Sequence, residues 1–361
     1  MIKYPRYIVL LLTTKCNLRC AYCYRGDKYF FQENVCNDSR RMPRAVIEKT
    51  LLYAGESGMN FHIQLTGGEP TLEPELIKWT GDFIQKHNFS ASIGIQTNGT
   101  LIDTFLIKLF KKYNIQVGVS LDGSYEIQEK LRGKSDLTFK GLKLLSDFCF
   151  PFQVTCVVTE YNAIYLDQLA LLLGSFTSVR GIGLDLLVCR GRAVKGNCIY
   201  PCSKNDLKNG IKKFMQALAY VNKNRLNPIK IRELEALKRL YKLKKSTSFC
   251  YALTDEAIAV HPDGRVYPCA QLVDDPVFIL GNTSKALIHE HEQSRIKNIL
   301  NARTLENDHC TGCSVFGFCP GDCPARLYYN NDDSAHLACV MYQTLWEEYK
   351  KSGYVGNFQK I

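Results

Sequence analysis

The chain has 361 residues, enough for one large domain and a smaller one, with the 46 % apolar and 22 % charged content of a soluble globular protein. No run approaches the ~18 apolar residues that a spanning helix needs, so no membrane partner is expected. The formal net charge of +11 suggests acidic partners; KNGIKKF and KRLYKLKK read as solvated Lys-rich helical faces, lacking the aromatic interleaving of a single-strand nucleic-acid groove, which leaves an acidic peptide or protein substrate open and no nucleic-acid partner expected.

The N-terminal MIKYPRYIVLLLTTKC has two basic residues before an apolar run, like a signal peptide. The run is short, and no small-residue cleavage site precedes the cysteines, so a buried strand is the reading. The chain holds 16 cysteines. They cluster at ligand-like spacings without an export signal. That favours thiolates on metal in a reducing, cytoplasmic compartment over disulfides. Strand-like runs follow: YIVLLLT from Tyr7, FHIQLT from Phe61, ASIGIQT from Ala91, IQVGVSL from Ile115, FQVTCVV from Phe152 and GIGLDLLV from Gly181. Amphipathic stretches such as PELIKWTGDFIQKHN and TFKGLKLLSDF separate them. Six βα units imply an α/β fold with a parallel sheet. They are too few for an eight-stranded barrel, which leaves an open partial (β/α)6 TIM barrel or a doubly wound sheet.

Either architecture gathers active residues at the C-terminal strand ends. The unusual residues fall there: CNLRCAYC after the first run, GGEP after the second, NGT after the third, DGS after the fourth. The pattern changes after about residue 196. A helical region is expected over roughly Ser203 to Leu243, and a Cys-, Gly- and Pro-rich part begins near Cys250. The expected domains are 1–240, with a helical bridge over about 196–245, and 241–361.

The spacing C-x3-C-x2-C lets Cys16, Cys20 and Cys23 face one inorganic cluster. A closed zinc site would want a fourth ligand nearby, and Cys36 is 13 residues on, so an open iron position is expected. With Tyr22 before the third Cys, this resembles the signature of the radical S-adenosylmethionine (SAM) enzymes. The resemblance implies a [4Fe–4S] cluster whose open iron is chelated by SAM, and one-electron cleavage of SAM to a 5′-deoxyadenosyl radical. Gly67-Gly68-Glu69-Pro70 resembles the family's GGEP motif, which contacts the SAM amino group. Its glycines would let backbone approach ligand, and Glu69 would pair with the ammonium. Thr97-Asn98-Gly99-Thr100 resembles the TNG motif. Ser120-Leu121-Asp122-Gly123 resembles the SLDG segment, whose Ser reaches SAM, and Arg132 would fork onto the SAM carboxylate. Gly191-Arg192-Ala193 resembles the GRA segment, where backbone approaches the adenosyl group.

Seven cysteines close the chain: Cys250, Cys269, Cys310, Cys313, Cys319, Cys323 and Cys339. The run C-x2-C-x5-C-x3-C alone reads as a zinc ribbon. The full pattern resembles the SPASM extension of peptide- and protein-modifying radical SAM enzymes. That implies two auxiliary [4Fe–4S] clusters, three in all. The distal one would sit on Cys310, Cys313, Cys319 and Cys339, the proximal one on Cys250, Cys269 and Cys323. The proximal cluster would then have a position open to a substrate thiolate, or one closed by His261, Cys189, Cys198 or Cys202. Cys36, Cys149 and Cys156 read as small buried or loop residues.

Sulfatase-maturing members, which make formylglycine, place an acid right after the second SPASM Cys. Here Ala270 stands there, with Asp274 and Asp275 a few residues on. The expected activity is therefore installation of a thioether or carbon–carbon crosslink in a ribosomally made precursor peptide. Formylglycine formation is the alternative, and a non-catalytic iron–sulfur electron-transfer protein the alternative of another class. Flavodoxin or ferredoxin is the expected electron donor. A cluster starting at Cys16 leaves no room for an N-terminal leader-binding domain, so a separate leader-binding protein or the basic surface would serve. Asp185 in GLDLLV, on the face shared with Gly183 and Leu187, is the candidate base or substrate contact, with a structural acid as the equal alternative.

Overall fold

The computed structural model describes residues 4–26, 40–194, 199–248, 250–301, 310–330 and 336–352. Cys36 and Cys198 lie outside the described residues. All six expected runs are strands: β1 (Tyr7–Thr13), β2 (Phe61–Gly67), β3 (Ala91–Thr97), β4 (Gln116–Ser120), β5 (Phe152–Val158) and β6 (Val179–Leu186). Helices α1 (Arg44–Gly55), α2 (Pro74–Lys86), α3 (Thr104–Lys112), α4 (Tyr125–Leu131), α5 (Ser135–Asp147) and α6 (Leu166–Gly174) return the chain between them. The strands pair in parallel in chain order, β1 to β6, with no reversal. A doubly wound sheet would reverse at a switch point, so this is the partial barrel.

Both ends of the barrel are extended. At one, β7 (Lys230–Ile231) pairs with β6. It lies between α7 (Lys204–Asn222) and α8 (Arg232–Leu243), the two helices of the expected bridge. The Ser203 hydroxyl accepts from the Asp206 amide and caps α7. At the other end, β8 (Ala257–Val260) pairs in parallel with β1, and β9 (Arg265–Tyr267) and β10 (Gly281–Asn282) continue antiparallel. The Cys-rich region thus shares one ten-stranded sheet with the barrel. It ends in α9 (Glu290–Asn301), α10 (Pro324–Tyr329) and α11 (Leu337–Lys351).

Burial patterning explains the barrel. β1 is buried along almost its whole length, as a central parallel strand is. β2 and β5 alternate, with Ile63, Leu65, Val154 and Cys156 outward under the helices and Gln64, Gln153 and Thr155 inward. The concave side is therefore polar and hollow. Among the described residues no helix is long and apolar enough to cross a membrane.

Candidate active site

A cavity of ≈ 1720 Å³ opens at the C-terminal ends of β1–β6 and runs into the barrel. Cys16, Cys20, Cys23, Gly67, Gly68, Glu69, Asn98, Ser120, Arg132 and Asp185 line it, and so do Tyr22, Cys250, Cys269 and Cys323. The two sequence-distant cysteine sets therefore share one chamber.

The glycines of GGEP make a close approach within the chain itself. Gly67 has φ +147°, and a Cβ there would stand 2.4 Å from the Thr13 carbonyl oxygen; at Gly68 it would stand 2.1 Å from that of Lys15. The Gly68 and Glu69 amides donate to the Thr13 and Lys15 carbonyls at 2.8 Å. The close approach is thus to the root of the cysteine loop, which it pins to β2. Glu69 is buried, and burial raises its pKa. Its Oε1 accepts from the hydroxyls of Thr71 and Thr97 at 2.6 Å, and its Oε2 from the Asn98 amide at 2.8 Å. GGEP and TNG are one hydrogen-bonded unit. The Asn98 side chain is spent on the loops as well: its Nδ2 donates to Asn17 Oδ1, and its Oδ1 accepts from the Thr100 amide.

Asp122, fully buried, is the site's main surprise. Its carboxylate accepts from the Tyr22 hydroxyl, from Arg132 Nε at 2.7 Å and Nη2 at 3.2 Å, and from the Val157 amide at 2.9 Å. Arg132 lines the cavity, its fork grips Asp122, and its guanidinium stands 5.3 Å from the Tyr22 ring centroid. Ser120 Oγ accepts from Gln96 Nε2 at 3.0 Å. The other unforeseen residue is Arg192, whose Nε donates to the Cys20 carbonyl at 2.8 Å and whose Nη1 donates to that of Gly26 at 3.0 Å. The GRA segment packs on the cysteine loop: a Gly191 Cβ would stand 2.4 Å from the Cys23 carbonyl oxygen. The signal for both residues was present, a charged residue inside a motif at a strand end.

The C-terminal cysteines sort into two groups. Burial pushes the Cys269 thiol up to about 12, and the neighbouring Cys250 adds to it. Cys323 is likewise raised by burial, then by Cys269 and Cys250. Cys339 is pushed up to about 11 by burial, then by Cys319, Cys313 and Cys310. Cys250, Cys269 and Cys323 thus lie near one another, and so do Cys310, Cys313, Cys319 and Cys339. N–H donors also point at sulfur: Gln271 N at Cys269, Gly321 N at Cys319 and Gln343 Nε2 at Cys313. Such donors suit iron-bound thiolates. Among the described residues no His, Cys, Asp or Glu group converges as a single metal ion requires; thiolates that each take a separate iron need not converge. His261 turns its ring nitrogens to Asp263 at 2.8 Å and Asp274 at 3.7 Å, and lies outside the chamber, as does Cys189. Cys202 and Cys156 are buried core residues, and Cys149 is exposed. Asp185 faces the cavity with its Oδ1 on Arg232 Nη2 at 2.5 Å; Arg232 also holds Glu233.

A hollow, open barrel with three cysteines on the loop after its first strand is the architecture of a radical SAM enzyme. The radical SAM superfamily matches residues 10–173, and the chain carries that domain, followed by a cysteine-rich C-terminal region. Its relatives include anaerobic sulfatase-maturating enzymes and a bacteriocin biosynthesis protein. It is 24 % identical over 358 residues to a cysteine-type anaerobic sulfatase-maturating enzyme of Clostridium novyi, covering 93 % of this chain and 92 % of that one. It is 26 % identical over 341 residues to the antilisterial bacteriocin subtilosin biosynthesis protein AlbA of Bacillus subtilis, covering 88 % and 67 %. Native anSMEcpe with bound AdoMet superposes with a TM-score of 0.75 at 22 % identity, over 98 % of this chain and all of that one. Streptococcus suis SuiB bound to precursor peptide SuiA gives 0.64 at 14 %, over 92 % and 76 %. At such identities these two structures establish the shared fold.

Proposed function

We propose that this radical SAM enzyme abstracts hydrogen from a ribosomally made peptide, using a 5′-deoxyadenosyl radical drawn from SAM at a [4Fe–4S] cluster on Cys16, Cys20 and Cys23, and installs a thioether or carbon–carbon crosslink. The observation that carries this is the single chamber lined by both cysteine sets. Cys250, Cys269 and Cys323 would hold a proximal auxiliary cluster beside the substrate, and Cys310, Cys313, Cys319 and Cys339 a distal one, three in all. Such clusters supply one-electron acceptors of tunable potential. Glu69 Oε2 would receive the SAM ammonium, with Ser120 and the outer edge of Arg132 toward its carboxylate. Asp122 would keep Arg132 oriented and charged. In this reading residues 1–240 are the barrel with its bridge, and 241–361 a SPASM-like part that shares its sheet. A cytoplasmic setting, a flavodoxin or ferredoxin donor and a separate leader-binding protein complete the reading.

Peptide substrates find support in the relatives: SuiB was solved with a precursor peptide, and anSMEcpe with the Cp18Cys peptide. Full-length similarity to sulfatase maturases favours formylglycine formation as a second reading. Against it stands Ala270, which lines the chamber where an acid is expected. Asp274 turns to His261 and Arg265, while Asp275 accepts from the Tyr329 hydroxyl at 2.6 Å; neither lines the chamber.

The test is anaerobic reconstitution with SAM and dithionite, with short peptides encoded beside the gene as substrates. Loss of two hydrogens from a peptide, with no hydrazide-reactive aldehyde, is the expected result. An aldehyde product favours the second reading, and absence of 5′-deoxyadenosine overturns both.

A further inference from the structure

Of the described residues that line the chamber, ten are Lys or Arg and four are Asp or Glu. The four acids all have partners. Glu69 is held by threonines and an amide, Asp185 and Glu233 share Arg232, and Glu256 takes the Thr254 hydroxyl and faces Arg6. Arg132 grips Asp122, and Arg192 donates to carbonyls of the cysteine loop. The bridge helix α8 is different. Arg232, Ala236, Arg239, Leu240 and Leu243 line the chamber, a helical spacing that turns one stripe of α8 inward. Arg239 and Lys245 on this ridge are exposed. Among the described residues neither side chain has a hydrogen bond, and no acid lies within the 4.0 Å of an ion pair, whereas the neighbouring Lys238 is paired with Glu235. Beyond Lys245, Thr247 and Ser248 continue the lining to Cys250.

We propose that this ridge selects an acidic peptide, with carboxylate side chains near the modified residue docking on Arg239 and Lys245. The inference rests on the peptide-modifying reading and names its substrate class. The guanidinium fork suits a carboxylate. Ala236, one turn before Arg239, leaves space for a side chain to lie across the helix, and Leu240 and Leu243 give it an apolar flank. Both cations are exposed, so their attraction for a carboxylate is screened by solvent and falls with salt. Arg239 lies about 10 Å along the helix from Arg232. An extended peptide rises ~3.3 Å per residue, so the selected acid falls about three residues from the residue beside Asp185.

The reconstituted enzyme with SAM is titrated with fluorescein-labelled Gly–Ser peptides that carry a central Cys and, about three residues to either side, Glu, Ser or Lys. Anisotropy reads Kd. The Glu peptide is expected to bind at least about tenfold more tightly than the Lys peptide at low salt. That gap should close at ~0.5 M salt. Charge reversal by Arg239→Glu with Lys245→Glu should invert the order, and Arg239→Lys should keep it. Equal binding of the three peptides overturns the inference. So does a preference that survives charge reversal, and so does failure of the Glu peptide to bind. None of these touches the peptide-modifying reading, which stands or falls on product mass.

Discussion

Asp122 joins two loops and a strand through one carboxylate: the cysteine loop through Tyr22, the turn after α4 through Arg132, and β5 through the Val157 amide. Removing its charge leaves the Arg132 guanidinium, only 10 % exposed, without a counter-ion in the wall of the chamber. Breaking such a buried pair costs about 3–5 kcal/mol. Asp122→Asn is therefore expected to lose that much in urea unfolding. Tyr22→Phe should cost much less in the Asp122→Asn background than alone, because the two share a network. Additive losses would remove Asp122 from its place as the hub. The sequence made Arg132 legible through its motif but not its partner. An acid in a DG pair at a strand end reads as turn chemistry, and nothing in one sequence tells a turn-former from a buried counter-ion. For Asn98 the motif was legible and the use of its side chain was not, since Asn17 meets it only after folding.

At the scale of elements, the six barrel strands were readable because each is a five- to eight-residue run of apolar or alternating residues between turn signals. The strands β7 to β10 were not. They have two to four residues, too few for any periodicity, and arise from pairing with sheet edges already present. The bridge read as one helical stretch; the structure breaks it over residues 223–231, between α7 and α8, a segment whose Pro228 could not sit inside a helix. The glycines of GGEP were visible, while what they approach was not. Because a Gly68 Cβ would meet the backbone carbonyl of Lys15, relief requires moving the loop that carries Cys16. Gly68→Ala is thus expected to lose the iron bound by Cys16, Cys20 and Cys23 after anaerobic reconstitution, while any iron on the proposed C-terminal sites remains. Full iron content in that variant would show that the loop tolerates the shift.

The whole molecule is joined more tightly than a division near residue 240 suggests, since that position falls inside α8 and the sheet runs through it. β1 has β2 on one side and β8 on the other, registered from Tyr7 opposite Ala257 to Leu10 opposite Val260. Ile8, Leu10, Leu11 and Leu12 are fully buried. α8 is also clamped from the C-terminal side: Tyr241 stands 5.2 Å from Phe318 and 4.9 Å from Trp346, ring centroid to ring centroid. A chain ending after Leu243 loses β8 and that aromatic clamp together. It presents β1 as an unpaired, apolar, seven-residue edge, the kind of strand that pairs with copies of itself. The barrel domain cut at that point is therefore expected to elute as large aggregates or to stay insoluble when expressed alone. The full chain should elute as a defined species in the same buffer. A truncated chain that is soluble, monomeric and able to bind the first cluster would show that the barrel closes its own edge. The chamber would then be an interface between two independent domains rather than the interior of one sheet.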